Sequence, residues 1–512
     1  MQVSTNKIWL ILILSASIIS FVLLIGILFF QQKVLIVGEG SQFSTIQSAV
    51  TVADSGDIIL VTDSLSPYEE AVEIENKTEI TIIGVGKPVL DGSNLPLGSN
   101  GITLINSSKI KVSGLTIQQY MGFNGSGISV ESSSDNNMFV RNRLIDNEGD
   151  GFLSLESTRN TLFNNETNMN NGFGVFIDAS QQDLLVGNVS NDNLIDGILI
   201  ASPNSWIIGN QTFRNDFGID AEEKQIFIGN VLNDNVGSDT FDVDGSQNIL
   251  IGNKLKNNKD DAIKIEEDFN IVIGNVAIGN VETGLILDNG AANNIVIGNR
   301  LLNNIEDGIL VDDDATDNLV MRNKIVGNIR DGIRVGDETE NNTFKRNIVN
   351  ENGRGIFIRN NNSAFTQRNT VIENNIIRNV GEGVKLEGGV GNTVKNNKIN
   401  KNGVGISLTP RVDEDTMIKT LAQQNQIVGN TIRNNITNGI NFDESIDNTV
   451  QKNTIISNRA NGILLDVNST SNRVLSNTAL LNGLFDIRDD ENNFFQGNIC
   501  ETSSGTEVDC GN

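Results

Sequence analysis

The chain has 512 residues, with 64 Asp and Glu against 37 Lys and Arg, no histidine, two cysteines and a formal charge of -27. That balance disfavours nucleic acid, whose binders need Lys and Arg clusters against phosphate, and suits solubility or interaction with cations. Without histidine the chain lacks the usual general acid–base residue and the commonest metal ligand, so zinc and copper sites are not expected and no cofactor is required.

The N-terminal stretch "IWLILILSASIISFVLLIGILFF", Ile8 to Phe30, carries no charge. At about 1.5 Å per residue it is long enough to cross a bilayer core of roughly 30 Å. A cleavable signal would be shorter and end in a small-x-small site; none follows. The expectation is a tail (1–7), one uncleaved transmembrane helix (8–30) and a linker (31–42). Lys7 and Lys33 flank the span, a weak bias that leaves the rest of the chain extracytoplasmic.

A short helix comes next. Phe43, Ile46, Ala49 and Val50 lie on one of its faces, suited to plug the open end of a stack. "SGDIILV" then starts the first strand. From there an apolar phrase ending in Asn returns, as in "NILIGN" at Asn253 and "NIVIGN" at Asn299. Most intervals are 20 to 24 residues; 27 precede Asn374 and 33 precede Asn430, with insertions around Asn360–Arg368 and Thr409–Gln424. About eight residues after the anchor comes a second phrase, such as "DGILI" at Asp196 or "DGILV" at Asp307. Two short alternating segments per period, parted by Asn and Gly turns, are strands rather than helices. Such units bury nothing alone and must stack. The Leu-x-x-Leu-x-Leu skeleton of leucine-rich repeats is absent. The expected architecture is all-β: a single-stranded right-handed parallel β-helix over 43–499 with Asn residues stacked at a bend, and a tail over 500–512.

The segment from Phe43 to Gly92 resembles the N-terminal cap and first coils of pectin-lyase-like β-helix proteins. The later repeats resemble the NosD-type branch, which includes carbohydrate-binding proteins and sugar hydrolases. The resemblance spans about Phe43 to Cys510 and is specific for fold rather than activity. NosD proteins are linked to copper-enzyme maturation, but a chain without histidine gives no reason to infer copper.

The stretch "SDTFDVDGSQNILIGNKLKNNKDDAIKIEED" resembles the catalytic segment of polygalacturonase-type glycosidases. By that match Asp239 takes the first aspartate, and Asp260 and Asp261 the following pair. An inverting glycosidase needs an acid and a base far enough apart to admit water, and mutual repulsion would raise one pKa. The match then departs. Thr283-Gly284-Leu285 stands where Gly-His-Gly is expected, and Leu310 and Asp312 stand at the Arg-x-Lys substrate grip. Arg334 in "DGIRV" has no second base beside it. Asp261 also recurs in the repeat, eight residues after its anchor like Asp150, Asp196, Asp307 and Asp331. An Asp before Gly is a common turn choice because its side chain caps backbone N–H groups. A lyase or epimerase is the weaker alternative, since both tyrosines, Tyr68 and Tyr120, lie in the first coils. The acidic turns Val311–Asp317 and Val412–Asp415 offer hard oxygens to calcium, without an EF-hand spacing; solvated turns are the competing reading.

Three residues before every anchor the residue is apolar and must face inward, so positions four and two before it face outward. In later coils these are polar or mixed, as in Thr393 and Lys395. In the middle coils they are Trp206 and Ile208, Ile226 and Ile228, Ile249 and Ile251, Ile271 and Ile273, Ile295 and Ile297, with Leu184, Val186, Leu319 and Met321 beyond. Seven coils would form an apolar strip about 30 Å long. Such a patch marks a covered interface or a partner site, or reflects the β-branched preference of a flat sheet. Self-association, another protein and the membrane are the partners it suits.

Cys500 and Cys510 close the chain, as a disulfide around an end loop or as two free thiols; an extracytoplasmic setting favours the disulfide. The expected function is non-catalytic binding of a glycan or protein at the cell surface. The alternative is a polysaccharide-active enzyme using Asp239, Asp260 and Asp261.

Overall fold

The computed structural model describes residues 32–336, 338–360, 365, 367–413, 417–505 and 508–511. The apolar span at 8–30 lies outside the described residues. Among those described, no helix is long and apolar enough to cross a membrane.

Each coil holds three strands rather than the two expected. In the coil of Asn299 they are Ile295–Ile297, Arg300–Leu302 and Ile309–Val311. Each pairs in parallel with its counterpart one coil on: Val296 with Val320, Leu301 with Ile325, Ile309 with Ile333. Among the described residues three sheets therefore run along a rod, with 20, 18 and 19 strands. At about 4.8 Å per step, the 20 strands of the first sheet give a length of roughly 90 Å. The second strand of each coil shows no alternation to read, because it sends one residue inward: Leu232, Leu255, Ala277, Leu301, Ile325. The third sends two, such as Ile309 and Val311, and all of these are buried.

Three Asn ladders turn the corners, where one was expected. Asn299 Oδ1 accepts from Asn275 N at 2.8 Å, and its amide donates to Val272 O at 2.9 Å and Asn323 Oδ1 at 3.0 Å. One side chain thus satisfies backbone groups that the bend takes out of the sheet. Asn294 and Asn304 head the other two ladders, receiving Asn270 N and Asn280 N at 2.7 and 3.1 Å. The residue before each is left-handed: Asn293 at φ 58°, Gly298 at 68°, Asn303 at 54°. This explains the "GN" ending. A side chain at Gly298 would meet nothing within 4 Å, so the torsion alone selects glycine. The "DG" phrase has a different cause. A Cβ at Gly308 would stand 2.6 Å from Gly332 O, so two coils touch there.

At the N-terminal end the helix Ile46–Val52 buries Ile46, Ala49 and Val50, and Thr45 Oγ1 caps it by accepting from Ser48 N at 3.2 Å. Phe43 is not on this helix; it bridges to Val37 and packs partly against the core. The stretch read as a linker carries the strand Val34–Val37, paired with Ile58–Val61, so the rod begins before Phe43. At the other end Cys500 and Cys510 are joined, Cα–Cα 5.3 Å, and strands Ile499–Cys500 and Ser503–Ser504 extend the second and third sheets into the tail. The extra residues of the two long intervals fall in the chain between a third-sheet strand and the next anchor strand; among the described ones, the second interval holds an antiparallel ribbon, Arg411–Val412 with Lys419–Thr420.

Candidate functional site

The outward residues of the third sheet form one row along the rod: Phe176, Leu199, Asp220, Asp242, Lys264, Ile286, Leu310, Arg334, Phe357 and Lys385, matched in register from coil to coil. Core formation does not dictate their identity, and the row changes character three times.

The first part is aromatic. Phe123, Phe173, Phe176, Leu153 and Leu155 line a pocket of about 550 Å³ with Asn100, Glu131, Asp150 and Asn171. Phe173 and Phe176 stack with centroids 4.9 Å apart, and Phe123 is 93% exposed. Asp150 Oδ1 accepts from Phe173 N at 2.8 Å and so holds that ring in place. Burial pushes its carboxyl up to about 6. These aromatics escape a sequence reading because Phe123 enters two coils before Phe173 and Phe176, and 5% aromatic content suggests no platform.

The middle part is acidic and contains the three aspartates singled out above. Asp239, Asp260 and Asp261 converge, with carboxylate oxygens within 4.8 Å of one another. The cause is the register: strands Phe241–Val243 and Ile263–Ile265 are hydrogen-bonded neighbours, and the aspartates enter directly before them. Asp261 Oδ1 accepts from Thr283 N at 2.6 Å. Asp307 does the same for Asp331 N at 2.8 Å, and Asp150 for Phe173 N. Asp261 is thus also the repeat's turn cap, one coil reaching to the next. Burial first, then the Asp239 and Asp260 charges, push it up to about 7. Asp239 is raised by burial, against the pull of Lys264 at 3.2 Å. Lys264 also pairs with Glu266 at 2.8 Å. Asp242, Asp244 and Glu266 form a second convergent group. Burial and then its Asp244 neighbour push Asp242 up to about 8.

The last part is cationic. Arg330, Arg334, Arg354, Arg359 and Arg411 line an open cleft of about 560 Å³ with Phe357 and Glu387. The missing second base beside Arg334 comes from neighbouring coils. The "RGIFIR" phrase of Arg354–Arg359, equivalent to "DGIRV", was its signal in the sequence.

On the first sheet, the outward residues expected to form an apolar strip stack in register from Leu184 to Met321. Trp206 is 47% exposed, Ile251 and Ile273 37% and Ile295 36%; Ile208, Ile226, Ile228, Ile249, Ile271 and Ile297 are half-buried. The acidic turn Val412–Asp415 lies partly outside the described residues, and Val311–Asp317 contributes to no convergent ligand group among those described.

The family described as "Periplasmic copper-binding protein (NosD)" matches residues 32–226 and 330–508, and "Right handed beta helix region" matches 218–371. The second agrees with the winding hand expected from the sequence. No curated protein matches. Similar solved structures include an alginate lyase from Paenibacillus sp. str. FPU-7 (14% identity, 51% of this chain and 94% of that one, TM-score 0.33). A DFA-IIIase from Arthrobacter chlorophenolicus A6 gives 13%, 52%, 84% and 0.36. The Azotobacter vinelandii mannuronan C-5 epimerase AlgE6 A-module gives 14%, 90%, 94% and 0.27. Copper does not fit the residues here. There is no histidine, both cysteines are tied in a disulfide, and the convergent groups among the described residues are all hard carboxylate oxygens.

Proposed function

This chain belongs to the NosD family, and we propose that it is an extracytoplasmic β-helix rod, anchored through the 8–30 span, that binds glycan without turning it over. The pocket of Phe123, Phe173 and Phe176 carries this reading. An apolar ring stack rimmed by Asn100, Glu131, Asp150 and Asn171 offers both a face and polar edges, the combination that orients a small polar ligand in a mostly apolar site. The test is retention of the protein on a panel of immobilised neutral and acidic polysaccharides, with Phe176→Ala as the comparison. Retention unchanged by Phe176→Ala sinks the pocket as the site.

A catalytic reading has one observation in its favour: Asp239, Asp260 and Asp261 converge, and Asp261 is held protonatable near neutrality. Incubation with the same polysaccharides, with and without calcium, would then release reducing or unsaturated ends. New ends that vanish in Asp260→Asn would replace the binding reading with a glycosidase. The apolar strip supports a protein partner, and a second copy is the occupant proposed: about 30 Å long and about 7 Å wide, the in-register strip would form the apolar centre of an interface rather than its whole area.

A further inference from the structure

The coils after Asp307 gather cations that the composition makes scarce. Arg334, Phe357 and Lys385 are outward neighbours on three successive strands. Arg354 and Arg359 begin and end the middle strand. Arg411 enters from the ribbon in the longest insertion. The first of the two widest anchor intervals, 27 residues, contains Arg354 and Arg359, and the second, 33 residues, contains Arg411.

The groups are layered. Asp331 and Asp307 form the floor, with side chains 2% and 1% exposed. Arg354 lies above, bidentate to Asp331 at 2.6 and 2.9 Å and flat over Phe357 at 3.8 Å. Arg334 stands 3.8 Å from Asp307, and its Nε is buried with no hydrogen-bond partner among the described residues. Arg359 lies 3.7 Å from Asp312, and Arg411 3.3 Å from Glu387. Buried Asp331 and Asp307 thus orient Arg354 and Arg334 from beneath, while Glu387 shares the cleft wall with Arg411. Planar, pre-oriented guanidinium groups suit two-point contact with an oxyanion. Their spread over successive coils along the rod suits a chain with repeated anionic groups rather than a single small anion.

We propose that this cleft binds a linear glycan through its carboxylate or sulfate groups, held by Arg334, Arg354, Arg359 and Arg411. This rests on the glycan-binding reading and adds the class of glycan. Since the rest of the molecule carries a large negative charge, the attraction is local and should weaken steeply with salt.

The experiment uses the full chain in detergent and three probes: polygalacturonate, chondroitin sulfate and dextran. One or both anionic probes should bind, and the double variant Arg334→Gln/Arg359→Gln should weaken that binding about tenfold or more. Should the variant fold poorly, wild-type protein treated with phenylglyoxal answers the same question. The anionic probe should protect the Arg334 peptide from modification, read by mass spectrometry, and dextran should not. Anionic binding with no protection and no variant effect overturns the cleft as the site. Retention by dextran alone overturns the anionic class and leaves the glycan reading standing, whereas retention by none of the three sinks both.

Discussion

Lys264 Nζ reaches back one coil to Asp239 Oδ2, 3.2 Å away, and among the described residues is the single cation at the carboxylates of Asp239, Asp242, Asp244 and Glu266. Its folded pKa is raised above the usual lysine value by Glu266 and Asp239, against burial. Lys264→Met removes that compensation at little cost in packing volume. The expected loss is about 2–4 kcal/mol at pH 8 by urea unfolding, below the range for breaking a fully buried pair because the site is partly open. At pH 5, where Asp242, pushed up to about 8, is protonated, the loss should shrink, while Glu266, held below the usual carboxylate range beside Lys264, keeps part of it. An equal loss at both pH values would mean that Lys264 acts by packing alone.

The whole rod should share this pH sense. Asp242 is pushed up to about 8, Asp196 and Asp261 to about 7, and Asp150, Asp183, Asp220 and Asp307 to about 6, each by burial first. For an acid whose folded pKa lies above its unfolded value near 3.9, the stabilisation is complete below the unfolded pKa and disappears as pH rises through the folded one. Thermal unfolding should therefore occur several degrees higher at pH 5 than at pH 8. A higher Tm at pH 8 would show that these carboxylates ionise freely in the folded rod.

Asn299→Ala removes the acceptor of Asn275 N and the donor to Val272 O, both buried. At roughly 1–3 kcal/mol for each unmet group, the variant should lose about 2–5 kcal/mol. Because coils couple mainly to their neighbours, amide exchange should quicken around Asn275 and Asn323 before it does near Val34 or Phe495. Uniform acceleration along the rod would instead indicate all-or-none unfolding.

Changing Ile251, Ile273 and Ile297 to Lys should leave circular dichroism unchanged, since each points out of the first sheet. Sedimentation of the parent should show an associated species that the triple variant lacks. Identical sedimentation of the two would remove self-association from the role of the strip.

Much of this was legible from period and polarity. The anchor strand declares itself because Val296 is flanked by outward Ile295 and Ile297 at a spacing that returns with Asn299. The second strand is silent because a three-residue segment such as Val276–Ile278 sends only Ala277 inward, and one inward residue has no alternation. The ladders at Asn294 and Asn304 were overlooked for a related reason. The first admits substitutes, with Asp183 and Ser205 accepting in place of Asn and Gln225 standing in the row with its Oε1 unbonded among the described residues, while the second sits in segments that read as polar turns. The cationic cleft is assembled from successive coils whose matching residues stand 20 or more apart in the chain, such as Arg334 and Arg354, and proximity of that kind follows only once the coil register is known. For the aspartates, the repeat itself was the better guide: Asp261 keeps its capping bond to Thr283, as Asp307 does to Asp331.

The equal spacing of Asn299, Asn323 and Asn347, 24 residues each, makes the molecule a ruler with graduations. Excising residues 276–299, the coil before the one that carries Asp307, would join Asn275 to Arg300 just as Asn299 is joined now. Every later ladder would find its former partner type, so the rod should shorten by one graduation with its surface rows unbroken. The distance between the aromatic pocket and the arginine cleft is therefore adjustable in whole coils, and with it the length of any ligand able to touch both.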